Sequence, residues 1–222
     1  MVERGRSVVG LDSDSILFII EGTVVTLKYT ILSIVIGLII GTIISLCKLS
    51  HITSLRWLGI LYVSVFRGTP LLVQLSIAYY VTPVATGYNI SVFEAGILAF
   101  SLNSAAYIAE VIRAGIETID KGQFEAAKAL GIPYALMMKD VILPQALRNI
   151  LPALANEAVN LLKETAIISV IGGADIMRRA QVVSSEHYIY FAPLLTAALC
   201  YYVMVVICSS VAKYLEKRLK IS

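Results

Sequence analysis

Hydrophobic positions in this chain fall into long blocks separated by shorter polar stretches. A hydrocarbon core about 30 Å thick needs roughly 20 mostly apolar residues per helix. Five stretches meet that need, at residues 16–46, 58–81, 92–116, 150–171 and 191–214. The pattern predicts an all-α membrane protein with five transmembrane helices, forming a single domain over residues 1–222. The first block carries small residues at Gly22, Gly37, Gly41 and Ser45, where another helix can approach closely. The second is interrupted by Arg67-Gly68-Thr69-Pro70, and because proline removes a backbone donor, a helix boundary or kink is expected there. Residues 82–91 carry no charge and contain Pro83, Gly87 and Asn89, which read as a turn. Residues 117–148 are too charged to cross a bilayer, and residues 172–190 read as a linker.

Composition agrees. Hydrophobic residues make up 58% and charged residues 15%, against about 45–50% and about 25% in soluble domains. Cys47, Cys200 and Cys208 lie in or beside apolar segments without metal-binding spacing, and read as small packing residues. The formal charge is only +3, so its placement matters more than its sum. Basic residues favour the cytoplasm. With five spans, Lys48, Arg56, the 121–148 cluster and the tail Lys213, Lys217, Arg218 and Lys220 all fall on one side. The uncharged 82–91 loop falls on the other, with an N-terminal tail carrying Glu3, Arg4, Arg6, Asp12 and Asp14. The orientation expected is N-terminus outside and C-terminus cytoplasmic, with Arg178 and Arg179 as a mild violation partly balanced by Asp175 and Glu186. The mixed-charge tail does not read as a cleavable signal, so the first block is taken as a mature span.

The polar stretch has its own punctuation. Glu125-Ala126-Ala127 opens a run of good helix formers that ends at Gly131, and Ile132-Pro133 prevents its simple continuation. A second short helix, over about residues 134–142, is expected to end at Leu143-Pro144. Two compact helices joined at a glycine can be a solvated connector, or can dock into a groove on another protein.

These residues carry a resemblance. Glu125-Ala126-Ala127, Gly131 and Ile142-Leu143-Pro144 resemble the cytoplasmic signature of ABC importer permeases. The run from Phe66 to Gln74, the run from Ala106 to Ile116 and Lys163-Glu164-Thr165 are similar to the polar amino acid branch of that family, with Ala166 and Ile167 as small departures. The resemblance implies a type I importer (MetI-like) fold, used as a two-fold dimer of identical or similar chains, with a coupling helix between the third and fourth spans. It implies that Glu125 and Gly131 make the contact with an ATPase subunit dimer, with Ala126 and Ala127 allowing close packing. ATP and Mg would then be bound by that partner. This chain has no G-x-x-x-x-G-K-[ST] phosphate loop, so no cofactor and no ATPase activity of its own are expected. A periplasmic or extracellular substrate-binding protein is the other implied partner, in a prokaryotic inner membrane. Nucleic acid is not.

The fourth block is different from the rest. Asn149, Asn156, Glu157, Asn160, Lys163 and Glu164 fall within an arc of roughly 120° on a helix advancing about 100° per residue. Ionisable residues inside a membrane cost about 2.5–3.5 kcal/mol each by insertion scales, so such a stripe either forms interhelical hydrogen bonds or lines a water-filled path. On the second reading Glu164 is a substrate ligand for an ammonium, guanidinium or imidazolium group, and Glu157, Asn160 and Lys163 line the path. Gln74, Ser76, Ser101 and Asn103 on neighbouring spans are candidates for the amide or carboxylate end, or serve as interhelical glue. Glu110 and Arg113, three residues apart, read as an intrahelical pair that anchors the polar loop.

The expected function is the permease subunit of an ATP-driven importer for a polar, basic-leaning L-amino acid such as arginine, histidine or lysine. Glutamine or glutamate is the alternative substrate. An ion-coupled secondary transporter is the alternative of a different class, although such carriers usually contain internal repeats and none is found here.

Overall fold

The computed structural model describes residues 11–220, and all regular structure among them is helical. The tail charges Glu3, Arg4 and Arg6, used for the outside assignment, lie outside the described residues, as does the side chain of Lys220. In chain order the elements are α1 (Ser13–Leu49), α2 (Thr53–Gly68), α3 (Leu71–Ser76), a π-turn (Ile77–Val81) and α4 (Thr82–Thr86). There follow α5 (Val92–Glu117), α6 (Lys121–Ala129), α7 (Tyr134–Leu136), a second π segment (Met137–Ile142) and α8 (Leu143–Glu164). A 3-10 segment (Thr165–Ile171), α9 (Ile176–His187) and α10 (Phe191–Lys220) complete the chain.

α1 lies along α5, and this is the most extensive helix pairing in the molecule. Its buried face is made largely of small residues: Ser15, Gly22, Thr26, Ser33, Gly37, Gly41 and Ser45. With Ile19 and Tyr29 between them they recur at three- and four-residue spacing and so fall on one side of the helix. A β-carbon on Gly41 would sit 2.8 Å from the carbonyl oxygen of Ala105, so only glycine lets the two backbones come this close. Most large side chains of α1 point the other way, Leu17, Ile31, Ile39 and Leu46 being exposed, with Ile19 and Tyr29 the buried exceptions. A helix that buries its small residues and exposes its large apolar ones is built for a lipid solvent.

α5 is the central helix and is buried along most of its length. It starts in a capping box, where Ser91 Oγ accepts from the Glu94 amide at 3.2 Å and the Ser91 amide donates to the Glu94 carboxylate at 2.8 Å. The Tyr88 hydroxyl donates to the same carboxylate at 2.7 Å, and that bond to a negative charge raises the phenol's pKa above its ordinary value. The central core gathers Tyr29, Leu75, Ala99, Phe100, Leu161 and Ile168, from α1, α3, α5, α8 and the 3-10 segment.

The break at Arg67-Gly68-Thr69-Pro70 is sharp: the axis turns by 100° between α2 and the α3–α4 segment. Pro70 has no amide hydrogen to continue the ladder, and the side chain of Gln74 replaces the missing donors. Its Nε2 donates to the carbonyls of Phe66 at 2.8 Å and Thr69 at 3.1 Å. The helical path then continues to Thr86, so the turn expected at 82–91 is shortened to the residues around Gly87, which has φ +73°.

Two expectations are corrected. Leu143-Pro144 does not end a helix: α7, the π segment and α8 follow one another without a break. The Leu143 amide donates to Met138, five residues back, and this wider register offers one route past the amide that Pro144 lacks. Residues 172–190 are not a linker but hold α9, capped by the Asp175 carboxylate on the Arg178 amide at 2.9 Å. Ile176, Ala180, Val183 and Ser184 are its buried residues, an i, i+4, i+7, i+8 pattern that seats it on α1 and α10.

α1, α5 and α10 are long and apolar enough to cross a membrane, and the bent α2–α4 segment adds a fourth crossing if taken as one. α8 is less apolar than these, carrying Arg148, Asn149, Asn156, Glu157, Asn160, Lys163 and Glu164.

Candidate functional site

The polar loop is a compact hook with its own core. Asp120 caps α6 by accepting from the Gly122 amide at 2.6 Å. At the other end Gly131 takes the left-handed conformation, φ +70°, and its amide donates to the Lys128 carbonyl while that of Ile132 donates to Ala127, both at 3.0 Å. This is a Schellman closure, which a glycine makes without steric cost. Of the four residues assigned to docking, Ala127 turns inward, packed with Ile119, Met137, Ile142 and Ala146. Glu125, Ala126 and Gly131 are exposed on the hook. Beside them Leu130 and Tyr134 stand out as large uncovered apolar side chains, 78% and 67% exposed. The sequence pattern had not singled these two out, since an apolar residue near a helix end reads as core.

A charge cluster centred on Glu110 ties α1 and α2 to the C-terminal end of α5, just ahead of the hook. The Glu110 carboxylate pairs with Lys48 from α1, with Arg113 at 2.8 Å and with Arg67 from α2 at 3.8 Å. Arg113 also pairs with Glu117. The intrahelical pair expected from spacing therefore exists, and the bundle adds two cations from other helices. Asn149, at the start of the polar stripe, donates to Thr118 Oγ1 at 3.4 Å, joining α8 to the hook's entry.

The stripe on α8 is the most polar surface among the spans. Asn149, Asn156, Asn160, Lys163 and Glu164 are all exposed and Glu157 is half-buried, whereas Leu161 and Leu162, between the polar positions, are buried, as are Ala146 and Ile150 nearer the start of the helix. Asn156, Glu157, Asn160, Lys163 and Glu164 make no hydrogen bond or ion pair among the described residues. Over residues 156–164 the helix exposes only polar side chains and buries Leu161 and Leu162, whereas nearer its start Leu143, Leu147 and Leu151 are exposed as well.

The other candidate ligands do not gather at Glu164. Gln74 Oε1 accepts from Asn103 Nδ2 at 3.0 Å, and Asn103 also donates to the Phe66 carbonyl at 3.3 Å. The two amides form a brace across the α2–α3 bend, with their polar atoms engaged by protein. Ser76 Oγ donates to the Leu72 carbonyl of its own helix at 2.8 Å. Ser101 is buried and lines a groove of about 300 Å³ with Ile36, Ile40, Ile97 and Leu98, at the seam between α1 and α5. Lying two positions from Asn103, it points to a different side of α5.

At the far end, Arg179 is not balanced by Asp175 or Glu186. It pairs with Glu21 of α1 at 2.8 Å and lies over the Phe18 ring at 4.6 Å. Asp175 is fully buried and, besides capping α9, accepts from the Tyr201 hydroxyl at 2.8 Å. Tyr201 is therefore a strut between α9 and α10. No group of three His, Cys, Asp or Glu side chains among the described residues is placed to hold a metal ion.

Comparison with known proteins fits this geometry to a family. Residues 33–221 match the family described as binding-protein-dependent transport system inner membrane component. The chain is 58% identical over 204 residues to a Rickettsia typhi protein that carries the name of a glutamine transport system permease, covering 92% of this chain and 94% of that one. It is 52% identical over 203 residues to the arginine transport system permease protein of Bacillus subtilis, covering 91% and 93%. A crystal structure of an amino acid ABC transporter with histidines superposes with a TM-score of 0.88 at 44% identity, covering 95% of this chain and all of that one. An inward-facing methionine ABC transporter shares the fold, with a TM-score of 0.74 at 21% identity.

Proposed function

This chain belongs to the binding-protein-dependent transport family as an inner-membrane permease component of the ABC amino acid type, and from that premise we propose that it carries a polar L-amino acid into the cell as half of a permease dimer. The observation that carries this reading is α8, whose polar stripe is left uncovered by its own chain. Five unpaired polar side chains facing lipid would be costly. A water-filled path at the interface with a second permease chain removes that cost. α8 then counts as the fourth of five crossings, with the bent α2–α4 segment as the second. The N-terminus lies outside and the C-terminus inside, an orientation helped by the pairing of Arg179 with Glu21, which neutralises a cation on the outer side.

Energy comes from a separate ATPase dimer, gripped by the exposed hook of Glu125, Ala126, Leu130 and Gly131, and a substrate-binding protein delivers the amino acid from outside. Ala127 supports the hook from within. Glu164 is the substrate ligand, with Asn160, Lys163 and Glu157 along the path. Gln74 and Asn103 hold the bend that frames it. Two carboxylates against one lysine give the stripe an excess of negative charge, which favours a cationic side chain such as arginine, histidine or lysine. Glutamine is the second reading, favoured by the relative at 58% identity that carries that name.

Reconstitution tests both. Vesicles holding this chain, its ATPase partner and its receptor should take up labelled amino acid only with ATP. Competition among arginine, histidine, lysine and glutamine then ranks the substrates. Uptake driven by an ion gradient without ATP would overturn the reading.

A further inference from the structure

Lys163 and Glu164 stand side by side in the last turn of α8, both exposed, and neither makes an ion pair or side-chain hydrogen bond among the described residues. Charges on one helix pair when they lie three or four residues apart, and adjacent positions do not face each other. Three and four places from Lys163 stand Val159, Asn160, Ala166 and Ile167. The same places around Glu164 hold Asn160, Leu161, Ile167 and Ile168. None of these carries a charge. A cation and an anion at the mid-membrane end of the stripe are thus left without a counter-charge from their own helix.

The two charges straddle the uncovered face. At about 100° per residue, Lys163 marks one edge of the polar arc, while Glu164 and Glu157 mark the other. Two copies of one chain inserted in a membrane the same way are related by a two-fold axis along the membrane normal. Their α8 helices then run parallel, with equal positions at equal depth. With the polar faces turned to that axis, the rotation carries Lys163 to the side on which the other copy presents Glu164. Opposite charges are brought together twice, and like charges are held on opposite sides of the axis. Depth selects the partner, because Glu164 lies about 1.5 Å along the helix from Lys163 and Glu157 about 9 Å.

We propose that a second copy of this chain completes the site: Lys163 of each copy pairs with the partner's Glu164 across the two-fold axis while the path is empty, and the transported amino acid takes the place of that pair. The charge pattern of α8 is self-complementary, so identical chains suffice. The pairs close the path between the copies and give both charges a counter-ion inside the membrane, where an unpaired one is costly. An amino acid carries a cation and a carboxylate of its own. It meets the partner's Glu164 with the first and the freed Lys163 with the second, so the exchange strands neither charge. This inference rests on the importer reading and deepens it, assigning the dimer to two copies of one chain.

Carbodiimide cross-linking in native membranes tests it, because this reagent joins an amine directly to a carboxylate only where the two touch. The unaltered chain should give a cross-linked pair of chains, and the cross-link should be lost in Lys163→Met and in Glu164→Gln. Both changes fall at exposed positions, so the buried side of α8 is untouched. Mixed dimers of differently tagged chains separate contact between chains from contact within one. A Lys163→Met chain beside a Glu164→Gln chain keeps one pair and should still cross-link. An unaltered chain beside one carrying both changes keeps none and should not. Arginine or glutamine, whichever the reconstituted carrier imports, should lower the yield of the unaltered chain about fivefold by occupying the same charges. No linked pair, a cross-link that survives either single change, or a yield that the imported amino acid leaves unchanged would overturn the proposal. ATP-driven uptake without the cross-link refutes the contact alone. A cross-link that needs both residues, in a complex that imports nothing with ATP, upholds the contact between copies and refutes the importer reading instead.

Discussion

α1 and α8 are both long helices of one bundle, and they are built the opposite way round. α1 buries glycine, serine and threonine and turns isoleucine and leucine outward. The second half of α8 buries Leu161 and Leu162 and turns Asn156, Asn160, Lys163 and Glu164 outward. Each is amphipathic in a sense, but against different exteriors: a hydrocarbon that makes no demand for hydrogen bonds, and water or a second chain that satisfies them. A single-chain protein in lipid has no use for the second kind of surface. The contrast therefore carries the argument for a paired permease more directly than any one residue does.

The contrast can be broken in graded ways. Ile31 stands at the middle of α1 and is 57% exposed; Ile31→Lys should cost about 3 kcal/mol of insertion free energy, seen as loss of membrane-inserted chain. Gly41→Leu attacks the buried side of the same helix, where Ala105 leaves no room. Overpacking should cost about 2 kcal/mol, read as a lower melting temperature in detergent. Glu164→Gln should leave insertion and melting unchanged while lowering uptake about tenfold, roughly 1.4 kcal/mol of lost transition-state binding. The smallest effect is expected for Asn160→Leu. Its exposed side chain makes no hydrogen bond to another described residue, so stability in detergent should move by about 0.5 kcal/mol or less, although uptake falls.

Much of this was legible because the membrane imposes simple rules. The apolar blocks located α1, α5 and α10, and the signature around Glu125 and Gly131 located the hook, since an αL glycine after a helix has few substitutes. Proline at 70 marked a break but not its angle, which Gln74 and Asn103 set through partners on another helix. That tertiary brace is also why those two amides read as ligands in the sequence. α9 was missed because its apolar face is only four small or medium residues among polar neighbours, and its partners lie on α1 and α10. Pro144 was misread because the wider π register ahead of it leaves no local mark in the sequence. Leu130 and Tyr134 are exposed on the hook, where the proposed ATPase contact would cover them.

The central claim is that the uncovered face of α8 meets water. It is tested most directly by placing single cysteines along α8 and α1, with Cys47, Cys200 and Cys208 replaced, and treating native membranes with a small charged thiol reagent. Asn156→Cys, Asn160→Cys and Lys163→Cys should react, on one helical face, and substrate should slow the reaction at Lys163→Cys. Ile31→Cys and Ile39→Cys on α1 should not react. Unreactive positions along the whole of α8, matching those on α1, would mean that the stripe is sealed, and the path would have to lie elsewhere.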